Sequence, residues 1–339
     1  MKTRPLIIPI FIPQEGCQHR CVYCDQPTIS GVSQVSWNPA SIRSHVQGYL
    51  ANNNRHPVQV AFYGGSFTLL PEARQSLFLE SVQDFLKRGQ VNSLRLSTRP
   101  DGVGSEELRL LQTMGVHTIE LGAQSLSDRV LAASARGHSA GEIYDATLRL
   151  QEHGFEVGLQ LMPALPKDNR ETFLHTVDKT IALSPSFVRL YPTVVLSSTP
   201  LELLYRRGLY RPLSLREAVD WCKEAKQRFA SAGIQVIRMG LQPTVSLEQP
   251  GRIIAGPYHP AFGQLVNGAV WMDLISPILR KASSLASRLV IHAPAHQLND
   301  IRGHRNDNIK RWLNELDLTS LETVASDQIG AGEFRVITQ

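Results

Sequence analysis

Cysteine is scarce, with four in 339 residues. That is too few to staple a secreted scaffold, and in a reducing compartment clustered thiols point to metal rather than disulfides. Long hydrophobic runs are missing too. None approaches the roughly 20 residues a membrane helix needs, so no membrane partner is expected. The opening MKTRPLIIPIFIP is basic and then apolar, but it lacks a small-residue cleavage site. Pro5, Pro9 and Pro13 also break any helix there. It reads as a buried strand of a cytoplasmic protein. No internal repeat or low-complexity tract occurs, which excludes a solenoid. Charge of one sign is modest, at a net +5. Residues 241–339 carry 9 basic and 9 acidic side chains, so the excess lies in residues 1–240, with 26 against 21. A basic recruiting tail at the C-terminus is thereby excluded.

What is present is an alternation. Short apolar runs at Leu6–Ile12, Val58–Tyr63, Ser93–Thr98, Thr118–Gly122, Glu156–Met162 and Phe187–Tyr191 read as strands. Helical patterns lie between them. EARQSLFLESVQDFLKRG ends in a glycine suited to a helix C-terminus, and SEELRLLQTMG opens with a serine and glutamates. Strands alternating with helices predict a parallel α/β sheet, as a partial or full (β/α) barrel with its chemistry at the strands' C-terminal ends. A doubly wound open sheet is the competing architecture. Polar, glycine-rich stretches do follow the strands: GCQHRCVYC, GGSFT, TRPDG, GAQS, MPALP and YPTVV. The barrel domain is expected over residues 1–243. A small α/β module over 244–339 should hold a helical run, a strand in RLVIHAP, a polar stretch RGHRNDNIKRW with Asn306 or Asp307 as helix cap, and a strand in EFRVITQ. Tyr258, His259 and Phe262 in GPYHPAFGQLV are candidates for a lid.

Three of the four cysteines, Cys17, Cys21 and Cys24, fall within eight positions directly after the first predicted strand. Three thiolates on one loop can converge on one inorganic centre. Closed zinc needs a fourth ligand, and neither His19 nor the remote Cys222 is an obvious one. A four-iron cluster held by three cysteines leaves one iron open to something other than protein. A non-catalytic, zinc-stabilised RNA-binding protein remains the rival from another class.

The cysteine spacing, with Tyr23 before the last cysteine, resembles the signature of radical S-adenosylmethionine (radical SAM) enzymes. With FYGGSFT, STRPDG, ELGAQS, RGH, LMPALPKD, RLYPTVVLSSTPLELLYRRGLYRP and VIRMGLQP, the stretch from Pro5 to Pro243 is similar to the radical SAM half of the Elongator catalytic subunit and its bacterial relatives. The resemblance implies a [4Fe–4S] cluster on Cys17, Cys21 and Cys24 and SAM as cosubstrate. The cluster's electron would cleave SAM to a 5′-deoxyadenosyl radical, which abstracts hydrogen from the substrate. It further implies SAM contacts at Tyr23, Gly64, Gly65, Ser66, Gln124, Ser125, Arg136, Gln160 and Met162. Among these, Arg136 would take the methionine carboxylate. Ser66 stands where many members carry Glu. The cysteine spacing is more compact than in the Elongator subunit, and the C-terminal part is too short for an acetyltransferase domain. The wobble-uridine reaction is therefore not expected to carry over intact. The implied partners are a flavodoxin- or ferredoxin-type electron donor and tRNA or another RNA. A porphyrin-like or other small metabolite is the alternative substrate.

Overall fold

All six predicted apolar runs are strands in the computed structural model, which describes residues 5–32, 37–53 and 56–338. Met1–Arg4 of the opening run and Gln339 at the end of EFRVITQ lie outside the described residues, as do the side chains of Ser105 and Glu106. The strands are β1 (Leu6–Phe11), β2 (Val58–Tyr63), β3 (Ser93–Thr98), β4 (Val116–Gln124), β5 (Glu156–Leu161) and β6 (Phe187–Leu190). Two unanticipated ones follow, β7 (Val195–Leu196) and β8 (Gln235–Met239).

Seven of these form one sheet in the order β1-β2-β3-β4-β5-β6-β8, every pair parallel. Spatial order follows chain order throughout. Right-handed crossovers that always step the same way put every connecting helix on one face. The doubly wound alternative needs a reversal of strand order, and there is none. β8 does not return to β1, so the sheet is a curled half-barrel rather than a closed ring. β7 pairs antiparallel with β9 (Ile253–Ala255) outside this sheet.

Alternation sets the two faces. In β1, Leu6, Ile8 and Ile10 are buried, while Ile7, Pro9 and Phe11 face a cavity. β2 is buried on nearly every residue, as a central parallel strand should be. Phe62, Phe67 and Phe78 meet beneath it, with ring centroids 5.1–6.1 Å apart. Among the described residues, the outer side of β1 has no strand partner. Its carbonyls are met by side chains instead: Trp37 Nε1 donates to Phe11 O at 2.7 Å, and His45 Nε2 lies 2.9 Å from Pro9 O.

Local signals fix the helix ends. Ser139 and Glu142 cap the helix Ala140–Glu152 reciprocally, and Asn169 accepts from Thr172 N at 2.8 Å. The long run after Pro71 is two helices, Glu72–Glu80 and Gln83–Lys87, broken at Ser81–Val82. Gly89 (φ +68) closes the second as expected. The helix Ser105–Thr113 takes Gly104, not Ser105, as its N-cap.

The chain divides into two compact units, Met1–Ser214 with Arg228–Tyr258, and Leu215–Gln227 with His259–Gln339. The expected boundary after Pro243 falls inside the first. The second contains β10 (Arg288–Ala293), parallel to β11 (Ser320–Ala325) and antiparallel to β12 (Arg335–Thr338). Trp271, Ile275, Leu279, Ile291, Ile301 and Trp312 make its core. Its helix Asp307–Glu315 starts after Asn306, whose φ is +62 and whose side chain makes no capping bond, so neither proposed cap acts as one. No helix among the described residues is long and apolar enough to cross a membrane.

Candidate functional site

A cavity of about 1120 Å³ lies on the concave face of the half-barrel, against the C-terminal ends of its strands. Each strand-end segment anticipated from sequence contributes to its wall. Eleven of the twelve candidate residues line it: all except Ser125.

The cysteine loop follows β1 and is fastened to the loop after β2 by main-chain bonds. Gln14 N donates to Gly64 O and Ser66 N to Glu15 O, both at 2.9 Å. Two glycines permit so close an approach. A Cβ on Gly65 would stand 2.4 Å from Glu15 O, and one on Gly16 would stand 2.2 Å from Ser66 O. Arg74 braces Glu15 from the side at 3.1 Å. The Cys17 thiol ends up 3.4 Å from the Ser66 hydroxyl. Cys21 is buried, Cys24 half-buried and Cys17 exposed. Burial, then the neighbouring Cys21 and Cys17, push the Cys24 thiol up to about 12. Among the described residues no three His, Cys, Asp or Glu side chains already converge on one point. Cys222 is fully buried in the helix Leu215–Ser231, and burial raises its thiol.

Arg136 is buried against this loop. Its Nη1 lies 3.1 Å from Cys21 Sγ and 3.4 Å from the Tyr23 hydroxyl, and Nη2 donates to Gly122 O. Burial opposes its charge, but Tyr23 and Cys21 outweigh that and raise its pKa. Its Nε and the Oε1 of Gln124 are buried without a partner. Gln124, with φ +68, follows Gly122 onto the cavity wall in the period-2 alternation of β4. Ser125 consequently turns away. It is 2% exposed, and its hydroxyl meets Thr176 Oγ1 at 3.3 Å, so the expectation that it faces the cavity is not met. Neither ring nitrogen of His138 finds a partner. Burial, then Arg136 and Arg99, pull its pKa down to about 4.

Beneath these residues runs a polar belt that was not singled out as a unit. Glu120 is fully buried. It accepts from Arg95 Nη1 at 3.1 Å, Arg189 Nη2 at 2.7 Å, the Tyr63 hydroxyl at 2.9 Å and Gln160 Nε2 at 3.4 Å. Burial and then Glu120 raise the Tyr63 pKa. The signal was available. The runs SLRLS, IEL, LQL, VRL and VIRM each carry a charged or amide side chain inside apolar surroundings, and parallel register lays Gln160, Arg189 and Arg238 side by side, while Glu120 reaches Arg95, Gln160 and Arg189 from two residues off register. Gln160 and Met162 were selected, but as isolated positions.

The lid residues make local contacts. The Tyr258 hydroxyl donates to Glu248 at 2.8 Å. His259 Nδ1 accepts from Ala261 N at 3.0 Å and stacks edge-on to His304.

The radical SAM superfamily profile matches residues 11–180, and a radical SAM C-terminal domain profile matches residues 185–271. The tRNA uridine(34) acetyltransferase of Methanocaldococcus jannaschii is 24% identical over 260 residues, 65% of this chain and 48% of that protein. Elongator complex protein 3 of Bos taurus is 25% identical over 272 residues, 65% of this chain and 50% of that protein. The chain thus spans about half the length of these relatives. The solved archaeal Methanocaldococcus infernus Elp3 with an N-terminal deletion superposes with a TM-score of 0.62 at 20% identity. That superposition covers 81% of this chain and 64% of that one, a likeness of fold.

Proposed function

The chain belongs to the radical SAM superfamily, an enzyme superfamily whose members in general use SAM and a [4Fe–4S] cluster, and on that premise we propose that Cys17, Cys21 and Cys24 hold the cluster, that SAM lies across the cavity, and that the substrate is tRNA or another RNA. The observation that carries the proposal is the placement of all three thiols, with the Gly64–Ser66 turn, on the wall of one cavity at the strands' C-terminal ends.

The residues fit the group by their chemistry. Three soft sulfur donors match iron, and three rather than four leave one iron for a cosubstrate. The raised Cys24 pKa reflects burial first and the neighbouring Cys21 and Cys17 second. A cationic centre would remove that penalty. When bound, the cluster and SAM together would supply the electron and the 5′-deoxyadenosyl radical that abstracts hydrogen.

The chain's own residues bind, orient and exclude water. The main-chain bonds at Gln14 and Ser66 hold the cysteine loop to the glycine turn. Cys21 and Tyr23, 5% and 8% exposed, shield the sulfur side from solvent. Arg136 presents a guanidinium beside Cys21, and Gln124 presents a free amide oxygen, the two polar groups suited to the amino-acid end of SAM. Gln160 and Met162 flank the other side. An RNA substrate is supported by the printed names of the relatives and by the basic excess of residues 1–240. A flavodoxin or ferredoxin in the cytoplasm would deliver the electron.

The test is anaerobic reconstitution with iron and sulfide, reduction, and measurement of 5′-deoxyadenosine released from SAM, with and without tRNA. A brown, reducible protein that releases the nucleoside is expected. Zinc alone, or an iron-loaded protein that releases none, overturns the proposal.

A further inference from the structure

Among the described residues, five arginines and one histidine line the cavity, with no Asp or Glu on its wall. Arg20 is an exposed residue of the cysteine loop, and three others are spoken for. Arg99 is gripped by Asp101 with two bonds at 2.9 Å, Arg136 by Cys21 and Gly122, and Arg189 by Glu120. Arg238 is different. It is half-buried in β8, and among the described residues it has no hydrogen-bond, ion-pair or ring partner. It is also the register partner of Arg189 on the neighbouring parallel strand. Like charges side by side on one sheet face are destabilising. Glu120 cannot relieve Arg238, because its oxygens already serve Arg95, Arg189, Tyr63 and Gln160. The Tyr191 hydroxyl, also on the wall, accepts from Arg189 Nη1 at 3.2 Å, which leaves its proton to donate elsewhere. The last two strands of the half-barrel, β6 and β8, therefore set a permanently charged fork with no acid of its own, Arg238, beside a guanidinium already held by Glu120 and a hydroxyl donor.

We propose that Arg238, with Arg189 and Tyr191 beside it, is the subsite for a phosphate group of the substrate, separate from the residues assigned above to SAM. A guanidinium fork matches phosphate geometry and stays charged at every physiological pH. The phosphate belongs either to an RNA backbone or to a phosphorylated small molecule. The inference rests on the radical SAM reading for the identity of the reaction, but the subsite is tested without it.

The experiment uses the full chain with inorganic pyrophosphate and, separately, a short single-stranded uridine-containing oligoribonucleotide. Pyrophosphate should raise the unfolding temperature of the wild type, and Arg238→Gln should abolish the shift. Arg88→Gln, an exposed residue beyond the helix Gln83–Lys87, controls for net charge and should leave the shift intact. Without anion, Arg238→Gln should unfold no earlier than wild type, since no partner is lost. If it fails to fold, Arg238→Lys must bind pyrophosphate more weakly than wild type, or the subsite is overturned. With an RNA source, the oligonucleotide should bind about tenfold more weakly to Arg238→Gln, and the slope of affinity against salt should become shallower by about 0.7. A pyrophosphate response without oligonucleotide binding keeps the subsite, assigns a phosphorylated metabolite and removes the RNA reading. Oligonucleotide binding that Arg238→Gln leaves unchanged overturns the subsite and spares the RNA reading. Loss of SAM affinity in Arg238→Gln would place the residue in the SAM site and overturn the separation.

Discussion

The half-barrel and the C-terminal unit bury different things. Among the described residues, the fully buried ions and most buried hydroxyls and amides lie in the half-barrel. The C-terminal unit buries Asn308 alone of that class, and spends it on the carbonyls of Gly268 and Ile301 at 2.9 and 3.0 Å. Its interior is otherwise apolar, with tryptophan, leucine and isoleucine the bulkiest part of its core. Burying a polar group costs free energy unless every partner is in place. The half-barrel carries such unpartnered atoms on Gln124 and Arg136 at the cavity wall and on His138 away from it. A region that carries almost none is built to stay folded.

The sharpest way to break this contrast is at the thiols. Alanine at Cys17, Cys21 or Cys24 should abolish iron retention and 5′-deoxyadenosine release while leaving the unfolding curve of the metal-free protein nearly unchanged. Cys222→Ala should do the reverse, keeping iron and losing stability; equal iron loss at Cys222 would mean the ligands are misassigned. Next in size is Trp312→Ala. Trp312 is 1% exposed, with its Nε1 on Ser276 Oγ at 2.8 Å. Its loss should cost about 3–5 kcal/mol in denaturant unfolding, with iron content per folded molecule preserved. Arg136→Ala should weaken SAM binding by about 1.5–3 kcal/mol, read by calorimetry. Undiminished affinity would return Arg136 to a purely structural role on the cysteine loop.

The smallest effect is a pH slope. His138 has a folded pKa near 4 against an ordinary value of 6.5, so the unfolded chain binds more protons between those values. Stability should fall as pH drops from about 6.5 toward 4, by at most roughly 1.4 kcal/mol per unit. His138→Asn should flatten that slope in the half-barrel. An unaltered slope would mean that another group carries it.

The strands were legible where apolar runs were continuous, as in LIIPIF and VQVAFY. β8 escaped because it is the sheet's last strand. Gln235 and Ile237 are exposed, and Arg238 interrupts what apolar pattern remains. β11 was missed for the same reason, its SLETVA being mostly uncovered. The cysteine loop and the glycine turn could be read from residue type alone, since few other chemistries need that spacing. Ser125 was misread although the signal was there: alternation that turns Gly122 and Gln124 into the cavity turns Ser125 the other way, toward Thr176. The Glu120 belt fell between the two cases. Each strand showed a misplaced charged or amide residue, and only the side-chain hydrogen bonds that converge on Glu120 reveal that those of β3 to β6 form a single network.

A sheet that stops short of closure has two margins, and each could serve as a template on which another copy of the chain polymerises. The first margin is β1, where Pro9 has no amide proton to offer and Trp37 and His45 occupy the carbonyls a newcomer would need. The second is β8, where a lone guanidinium sits mid-strand. A charge at such a margin disfavours the approach of a second strand, so Arg238 also bears on how the edge of the sheet is guarded.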